Sequence, residues 1–325
     1  MTAWTSLAPI AAIAVSAILV FVLLRFPRLL QDRPNVRSLH ASPIPRTGGI
    51  AIVLGAIGMW LSVIPSGRLL GLTAAILAAI SILDDWKGLH PLPRFSAHIA
   101  IAAYFAYYGL GRPPLVECIF LVLAIVWVTN LFNFMDGADG LAAGMAIGGF
   151  CAYAIAAWIA GQIDLMLICV VIAASTVPFL VANFHPARLF MGDSGSITLG
   201  FLAASIGALG WSEGAWSPFF PVFVFSPFIA DASLTLLHRA VTGQQFWRPH
   251  RDHYYQKLIR MGLGHRNTAL AEYCVIILSG AFGLASLAFD GAQQLGMIVI
   301  WGAVLVILAV WIDRRWDRHI RTTTL

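Results

Sequence analysis

The sequence predicts an all-α fold, a polytopic bundle of ten to eleven transmembrane helices. Three observations carry that prediction. The first is composition: of 325 residues, 59% are hydrophobic and 11% are charged, against about 25% charged in an ordinary soluble domain. The second is a regular succession of long apolar runs, and the third is the one-sided placement of lysine and arginine. A formal net charge of +5 then reports membrane topology rather than a nucleic-acid partner, because basic residues in such a chain mark the cytoplasmic loops.

A spanning helix needs about 20 apolar residues. Eleven runs meet or approach that length: 4–24, 48–65, 68–83, 96–111, 114–132, 140–160, 164–182, 195–211, 217–238, 269–289 and 292–312. No basic region or small-residue cleavage site accompanies the first, so it is expected to remain as a span and not to be a signal peptide. Small residues in the second (Gly48, Gly49, Gly55, Gly58) and sixth (Ala142, Ala143, Gly144) suit close helix packing in lipid, or simply fill space. The third and fourth are short and are expected to continue into their polar flanks or line the interior. Polar breaks separate the fifth from the sixth and the seventh from the eighth. The ninth carries Asp231, read as a structural hydrogen-bonding group more than a site residue. Between the ninth and tenth lies the longest non-spanning segment, 239–268. Cys118, Cys151, Cys169 and Cys274 all sit inside apolar runs and read as packing residues, without a CxxC pair.

Eleven spans place the termini on opposite sides. The loops 25–47, 84–95, 133–139, 183–194 and 239–268, with the tail from Asp313, hold 18 of the 20 lysines and arginines. That face is therefore expected to be cytoplasmic, with the N-terminus outside and the C-terminus inside. No separate soluble domain is visible, so residues 1–325 read as one integral-membrane domain whose five cytoplasmic loops form the active site.

The stretch Asn130-Leu-Phe-Asn133-Phe-Met-Asp136-Gly-Ala-Asp139-Gly140 joins two lipid-soluble runs. A charge at a helix centre in lipid costs about 2.5–3.5 kcal/mol on the mildest scale, so this cluster must face water, a cation or a buried cavity. Asn133, Asp136 and Asp139 share a helical face at i, i+3, i+6, or converge differently in a Gly-broken turn. Their oxygens suit Mg²⁺, which takes one or two carboxylates together with substrate phosphates; an Asx-rich interfacial turn would use the same residues. Asp84-Asp85, followed by Lys87 and Arg94, suits a cation site or a general base with a charge partner, and equally a solvated helix end. In Asn183-Phe-His-Pro-Ala-Arg-Leu-Phe-Met-Gly-Asp-Ser-Gly-Ser196, Ser194 is placed to cap the eighth span and turn its N–H groups toward an anion. Arg248, His250, Arg251 and His253 suit phosphate, or an anionic lipid surface. In the first loop, Arg37, His40 and Arg46 could hold a lipid headgroup, although positive-inside bias alone explains the arginines.

Together, Asp84-Asp85, Asn130-x-x-Asn133-x-x-Asp136-Gly-x-Asp139-Gly and Asn183-x-x-Pro-Ala-x-x-Phe-Met-Gly-Asp193-x-Gly-Ser196 resemble the motifs of the polyprenyl-phosphate N-acetylhexosamine-1-phosphate transferases, glycosyltransferase family 4. The match runs in order through residues 32–260. Arg248-Pro-His-Arg-Asp-His-Tyr-Tyr-Gln looks like the branch that starts O-antigen-type polysaccharides, and it departs from the His-rich motif of the peptidoglycan translocase. The resemblance implies transfer of an N-acetylamino-sugar-1-phosphate from a UDP-sugar (GlcNAc, or a 6-deoxy relative such as FucNAc or QuiNAc) to undecaprenyl phosphate, with release of UMP, at the cytoplasmic membrane. It implies Asp84, Asp85, Asp136 and Asp193 as catalytic acids, and Asn133 and Asp193 as ligands of Mg²⁺ or Mn²⁺. Asp139, Phe190, Asn130, Asn183 and Arg94 would surround the nucleotide; Arg248, His250, Arg251 and His253 the sugar and phosphate; Arg37, His40 and Arg46 the lipid phosphate. Such a protein works in a lipid bilayer, alone or as a homodimer. Phosphoryl transfer asks for positioning and charge neutralisation more than covalent chemistry, which the polar stretches can supply.

Two other classes fit less well. A secondary transporter would use Asp136 and Asp231 as coupling acids, but the polar groups cluster on one face and no internal repeat is visible. A CDP-alcohol phosphotransferase needs an Arg that Asp136-Gly-Ala-Asp and Asp139-Gly-Leu-Ala-Ala lack.

Overall fold

The computed structural model describes residues 3–32, 43–245, 247–248 and 250–323. Among them are eleven long helices, where eleven apolar runs were expected: α1 (Ala3–Leu24), α2 (Gly48–Val63), α3 (Arg68–Lys87), α4 (Pro91–Tyr108), α5 (Leu115–Phe134), α6 (Leu141–Ile159), α7 (Ile163–Asn183), α8 (Asp193–Ser212), α9 (Phe219–Val241), α11 (Gly264–Ser286) and α12 (Gly291–Thr323), with a short α10 (Tyr254–Leu258) between α9 and α11. A two-stranded antiparallel pairing of Gln31–Asp32 (β1) with Ile44–Pro45 (β2) is the only sheet among the described residues. The chain is a multi-pass, all-α membrane protein.

Nine of these segments are long and apolar enough to cross a membrane, and α2, at 16 residues, is a shorter apolar helix. The boundaries differ from the sequence reading in both directions: α2, α4 and α11 end a few residues early, while at the polar end of the bundle helices run further than expected. The third and fourth run out to Lys87 and back from Pro91. Asp84, Asp85 and Arg94 therefore sit on helix ends and not in a loop of residues 84–95. Likewise the tail from Asp313 is a continuation of α12. At 33 residues and about 1.5 Å per residue, α12 exceeds a hydrocarbon core of about 30 Å, so its last turns project beyond it. Backbone hydrogen bonds explain the trend: extending a helix satisfies N–H and C=O groups that a loop would leave for other partners.

Lipid offers little hydrophobic drive between helices, so close fit and interhelical hydrogen bonds hold the bundle. α8 is the most enclosed of the candidate spans and α12 the least. Gly200 on α8 abuts the backbone of α5, where an added Cβ would lie 2.8 Å from Thr129 Cα. Ser16 Oγ donates to Ser175 O at 2.6 Å, joining α1 to α7, and Trp301 Nε1 donates to Ser226 Oγ at 2.9 Å, joining α12 to α9. An aromatic cluster of Phe132, Phe150, Tyr153, Phe225 and Phe228 fills the centre. All four cysteines are free, but only Cys169 is buried, while Cys151 and Cys274 are exposed, which corrects the reading of all four as core packing residues.

Candidate functional site

The polar stretches meet at one end of the bundle. α3 stops at Gly88, whose left-handed φ of 65° lets its N–H donate to Asp84 O at 2.7 Å. The chain reverses, Pro91 starts α4, and Arg94 comes back over the end of α3. There Arg94 Nη1 lies 2.7 Å from Asp84 Oδ2 and 3.3 Å from Asp193 Oδ2, while Asp84 Oδ1 accepts the Leu89 N–H. Asp85 points the other way. Its Oδ1 is 3.5 Å from Arg46 Nη1, its Oδ2 accepts the Ser194 N–H at 3.4 Å, and its carbonyl accepts from Arg46 Nη2 at 2.8 Å.

Arg46 is delivered by β2. Beyond it, residues 45–49 run beside 190–191: Phe190 N donates to Pro45 O, Gly48 N to Phe190 O and Gly49 N to Met191 O, all at 2.8–2.9 Å. This pairing fixes the Phe190 backbone and sets Asp193 at the first position of α8. Gly192 precedes it with φ 71°, and a Cβ there would sit 2.5 Å from Arg46 O. Ser194 is not the cap: its buried Oγ has no hydrogen-bond partner. Gly192 holds the cap position, and Ser196 Oγ instead donates to Asn133 Oδ1 at 2.7 Å. The reason is local, since the glycine already supplies the turn and aims its own carbonyl at the Ser196 N–H.

Asn133 is in the last turn of α5, but Asp136 and Asp139 are not on its helical continuation. α5 ends at Phe134, and a turn stabilised by Gly140 (φ 77°) follows. Asp136 is half-buried, and its pKa is driven well up by desolvation, then by repulsion from Asp193 and Asp85. Asp139 is held differently. His185 Nδ1 donates to its Oδ2 at 2.7 Å, Ala187 N–H donates to the same oxygen at 3.2 Å, and His265 Nδ1 lies 3.4 Å from Oδ1. Burial would raise its pKa, but the hydrogen bonds from His265 and His185 outweigh that and hold it below the usual range.

Asn130 and Asn183 have other occupations. Asn130 Nδ2 donates to Val126 O, one turn back on its own helix, at 2.7 Å. Asn183, 3% exposed, uses both ends of its carboxamide on backbone: Oδ1 accepts the Gly140 N–H and Nδ2 donates to Leu189 O, each at 2.9 Å. It is a strut between two loops. Of the basic motif, His253 is buried against Phe134, with ring centroids 6.2 Å apart. His250 packs on His253 at 4.9 Å. Arg248 is exposed, and no ion pair joins Arg248 or Arg251 to the acid cluster among the described residues. Arg37 and His40 lie outside the described residues.

Four carboxylates thus converge with two guanidinium groups. That leaves a negative excess whose mutual repulsion is visible at Asp136. Among the described residues no three His, Cys, Asp or Glu side chains form a metal cage. Mg²⁺ does not need one, since one or two carboxylates with a substrate diphosphate complete its shell. The hard oxygens of Asp193 and Asn133 fit that requirement.

Comparison with known proteins agrees with this picture. A family model described as glycosyl transferase family 4 matches residues 68–210, the stretch from α3 to α8 that supplies most of the acids. The chain is 30% identical, over 85% of its length and 80% of the relative's, to a probable undecaprenyl-phosphate N-acetylglucosaminyl 1-phosphate transferase of Bacillus subtilis. The chain belongs to glycosyl transferase family 4. A decaprenyl-phosphate N-acetylglucosaminephosphotransferase of Mycobacterium leprae is 34% identical over 84% of this chain and 82% of its own. An undecaprenyl-phosphate alpha-N-acetylglucosaminyl 1-phosphate transferase of Escherichia coli is 26% identical over 88% and 84%. The resemblance carried by the three polar motifs is thereby borne out at family level.

Three supporting residues, His265, Tyr273 and Tyr255, escaped the sequence reading, and a fourth, Asp231, takes the structural hydrogen-bonding role read for it. His265 reaches Asp139 from the start of α11. Tyr273 donates its hydroxyl to Gly140 O at 2.8 Å. Tyr255 donates to Phe134 O at 3.2 Å and lies so close to Gly137 that a Cβ there would be 2.1 Å from its oxygen. Asp231 anchors α10. An Asp in a span was a visible signal; Tyr273, on an apolar run, gave none, and Tyr255 was hidden among the histidines and arginines of the 248–256 stretch.

Proposed function

We propose that the protein transfers an N-acetylamino-sugar-1-phosphate, GlcNAc-1-phosphate or that of a 6-deoxy relative, from a UDP-sugar to undecaprenyl phosphate at the cytoplasmic membrane face. UMP is released, and the product begins a lipid-linked polysaccharide of the O-antigen type. The observation that carries this reading is the convergence of Asp84, Asp85, Asp136 and Asp193 with Arg46 and Arg94 at one end of a membrane bundle. A donor diphosphate and a lipid phosphate both need charge neutralisation there, and only a site at the bilayer serves a prenyl chain. The excess of arginine and lysine at the same end supports a cytoplasmic location.

In this reading an oxygen of the lipid phosphate attacks the phosphorus bonded to the sugar. A new P–O bond forms as the bond to the bridging oxygen breaks, and the electron pair leaves with UMP. Asp84 and Asp85 orient the lipid phosphate and accept its proton where it carries one. Arg94 and Arg46 draw the two phosphates together despite their charge. Asp139, clasped by His185 and His265, and Phe190 hold the uridine; His250 and His253 meet the sugar-phosphate. Asn133 and Asp193 would hold Mg²⁺ or Mn²⁺, which when bound neutralises charge on the diphosphate. No nucleophile–base pair of side chains stands out, which favours direct attack.

The test is purified protein with undecaprenyl phosphate and UDP-GlcNAc, with and without Mg²⁺, beside an Asp193→Ala variant. Metal-dependent UMP and a lipid-diphosphate sugar, both lost in the variant, are expected. Activity only with a 6-deoxy donor would move the specificity. Silence with every UDP-sugar, in folded protein, would overturn the reading.

A further inference from the structure

The segment that carries His250 and His253 stands at the head of a helical stretch that continues through Ile259–Leu263, with a kink at Gly262, into α11. Its first helical element is five residues, Tyr254–Leu258, led in by extended backbone at His253 (φ −59°, ψ 148°). Such a short helix is marginal alone, yet its leading histidine is 3% exposed and stacked between Phe134 and Tyr255. Something must hold it.

Asp231, inside α9 and itself 7% exposed, does so with both oxygens. Oδ1 accepts the Tyr254 N–H at 3.0 Å and lies 3.1 Å from His253 Nδ1, and Oδ2 accepts the Tyr255 N–H at 3.0 Å. Thr235 Oγ1, one turn along α9, donates to Oδ1 at 3.3 Å. From the far side, the Gln256 carboxamide accepts the His253 N–H at 3.2 Å. A buried carboxylate accepting several N–H groups makes charge-assisted bonds, about twice as strong as neutral ones.

We infer that Asp231 is a positioning residue of the transferase site: it fixes the orientation of His253, with Nδ1–H turned onto the carboxylate and Nε2 left as the nitrogen that meets the sugar-phosphate. The inference rests on the proposed transfer reaction only for what Nε2 touches. A buried acceptor beside Nδ1 requires the proton there, in the way that second partners set histidine tautomers elsewhere. The same clamp reaches the acids. Tyr255, whose N–H Asp231 accepts, supports the turn at Phe134 and Gly137 that presents Asp136. Asp231 touches no reacting atom; it sets two groups that do.

The experiment compares wild type, Asp231→Asn, His253→Ala and the double variant, full-length in nanodiscs. It reads kcat and KM for UDP-GlcNAc, UDP affinity, and amide deuterium exchange across 250–258. Asp231→Asn keeps the shape but turns one acceptor into a donor. The expected result is unchanged UDP affinity and a fall in kcat of about 10²-fold, the scale of a 1 Å misplacement. Exchange should quicken at 254–256 and stay unchanged in α9. The kcat effect should be clearly smaller in the His253→Ala background, the remainder being the share carried through Tyr255 and the Asp136 turn. An equal kcat loss in both backgrounds, or unaltered exchange at 254–256, would overturn the inference. Should Asp231→Asn not fold, Thr235→Val loosens the carboxylate alone, and a severalfold kcat loss confined to the His253 background is expected. Wild type silent with every UDP-sugar would sink the transferase reading, while the exchange arm still decides whether Asp231 holds the segment.

Discussion

Arg94 stands between two acids that lie 109 residues apart in sequence, its Nη1 2.7 Å from Asp84 and 3.3 Å from Asp193. It comes from α4, Asp84 from α3 and Asp193 from α8, so one guanidinium joins three helices. Arg94→Lys keeps the charge but loses the planar fork; Arg94→Ala loses both. Expected are falls in kcat/KM of about 10-fold and at least about 10²-fold respectively, on the scale of removing one transition-state charge stabiliser. Steady-state assay of UMP release checks the order. Equal activity of Ala and wild type would remove Arg94 from the site.

Asn183 ties the loop at Gly140 to the loop at Leu189. Asn183→Ala leaves a buried Gly140 N–H and the Leu189 carbonyl without their partner. An orphaned buried group costs about 1–3 kcal/mol. Thermal unfolding in detergent should therefore shift down by several degrees. Asn183→Asp keeps the acceptor for Gly140 and should recover part of the loss. A variant as stable as wild type would show that the strut is not needed.

These two cases show how much of the site was legible. Asp84, Asp85, Asn133, Asp136 and Asp193 stood out because polar oxygens are costly between lipid-soluble runs, whatever their tertiary partners. Which of them would face a ligand was not legible. Asn183 belongs to the same motif as Asp193 in sequence, yet its carboxamide serves two backbones while Asp193 faces Arg94. Element ends were legible in part: the short third and fourth runs are expected to continue into their polar flanks or line the interior, and α3 and α4 do run on through Asp84, Asp85 and Arg94, which leaves much less loop than the span 84–95 suggests. Tyr273 was invisible because an aromatic on an apolar run looks like packing until its hydroxyl finds Gly140, and Tyr255, inside the basic 248–256 stretch, was overshadowed by its charged neighbours until its hydroxyl finds Phe134.

Gly192 couples both halves of the site. Its φ of 71° is strained for any L side chain, and an added Cβ would meet Arg46 O at 2.5 Å and Asp85 Oδ2 at 3.1 Å. Gly192→Ala must therefore push Arg46 off Asp85, which uncouples that acid from its guanidinium, or shift the start of α8, which displaces Asp193. The expected outcome is folded protein with activity lowered by about 10²-fold, as for a 1 Å displacement of a reacting group. Size-exclusion chromatography and UMP release read the two parts separately. Full activity would mean that the turn yields without moving Asp193.

His250 supplies a pH signature. Burial, then the nearby His253 and Arg239, lower its pKa to about 4, and Asp252 and Asp231 oppose this only in part. Its Nδ1 is buried without a hydrogen-bond partner, 3.8 Å from Asp252 Oδ2. In the unfolded chain a histidine titrates near 6.5. Between those values the unfolded state binds a proton that the folded state refuses, so stability rises with pH across that window. Folded protein should accordingly lose stability as pH falls from about 6.5 toward about 4, with little His250 contribution above 7. His250→Gln removes the titrating group and should flatten the slope in that window while leaving the neutral-pH midpoint near its original value. Thermal melts at half-unit pH steps, wild type beside variant, make the comparison. Parallel curves through the window would place the acid sensitivity elsewhere and leave His250 protonated in the fold.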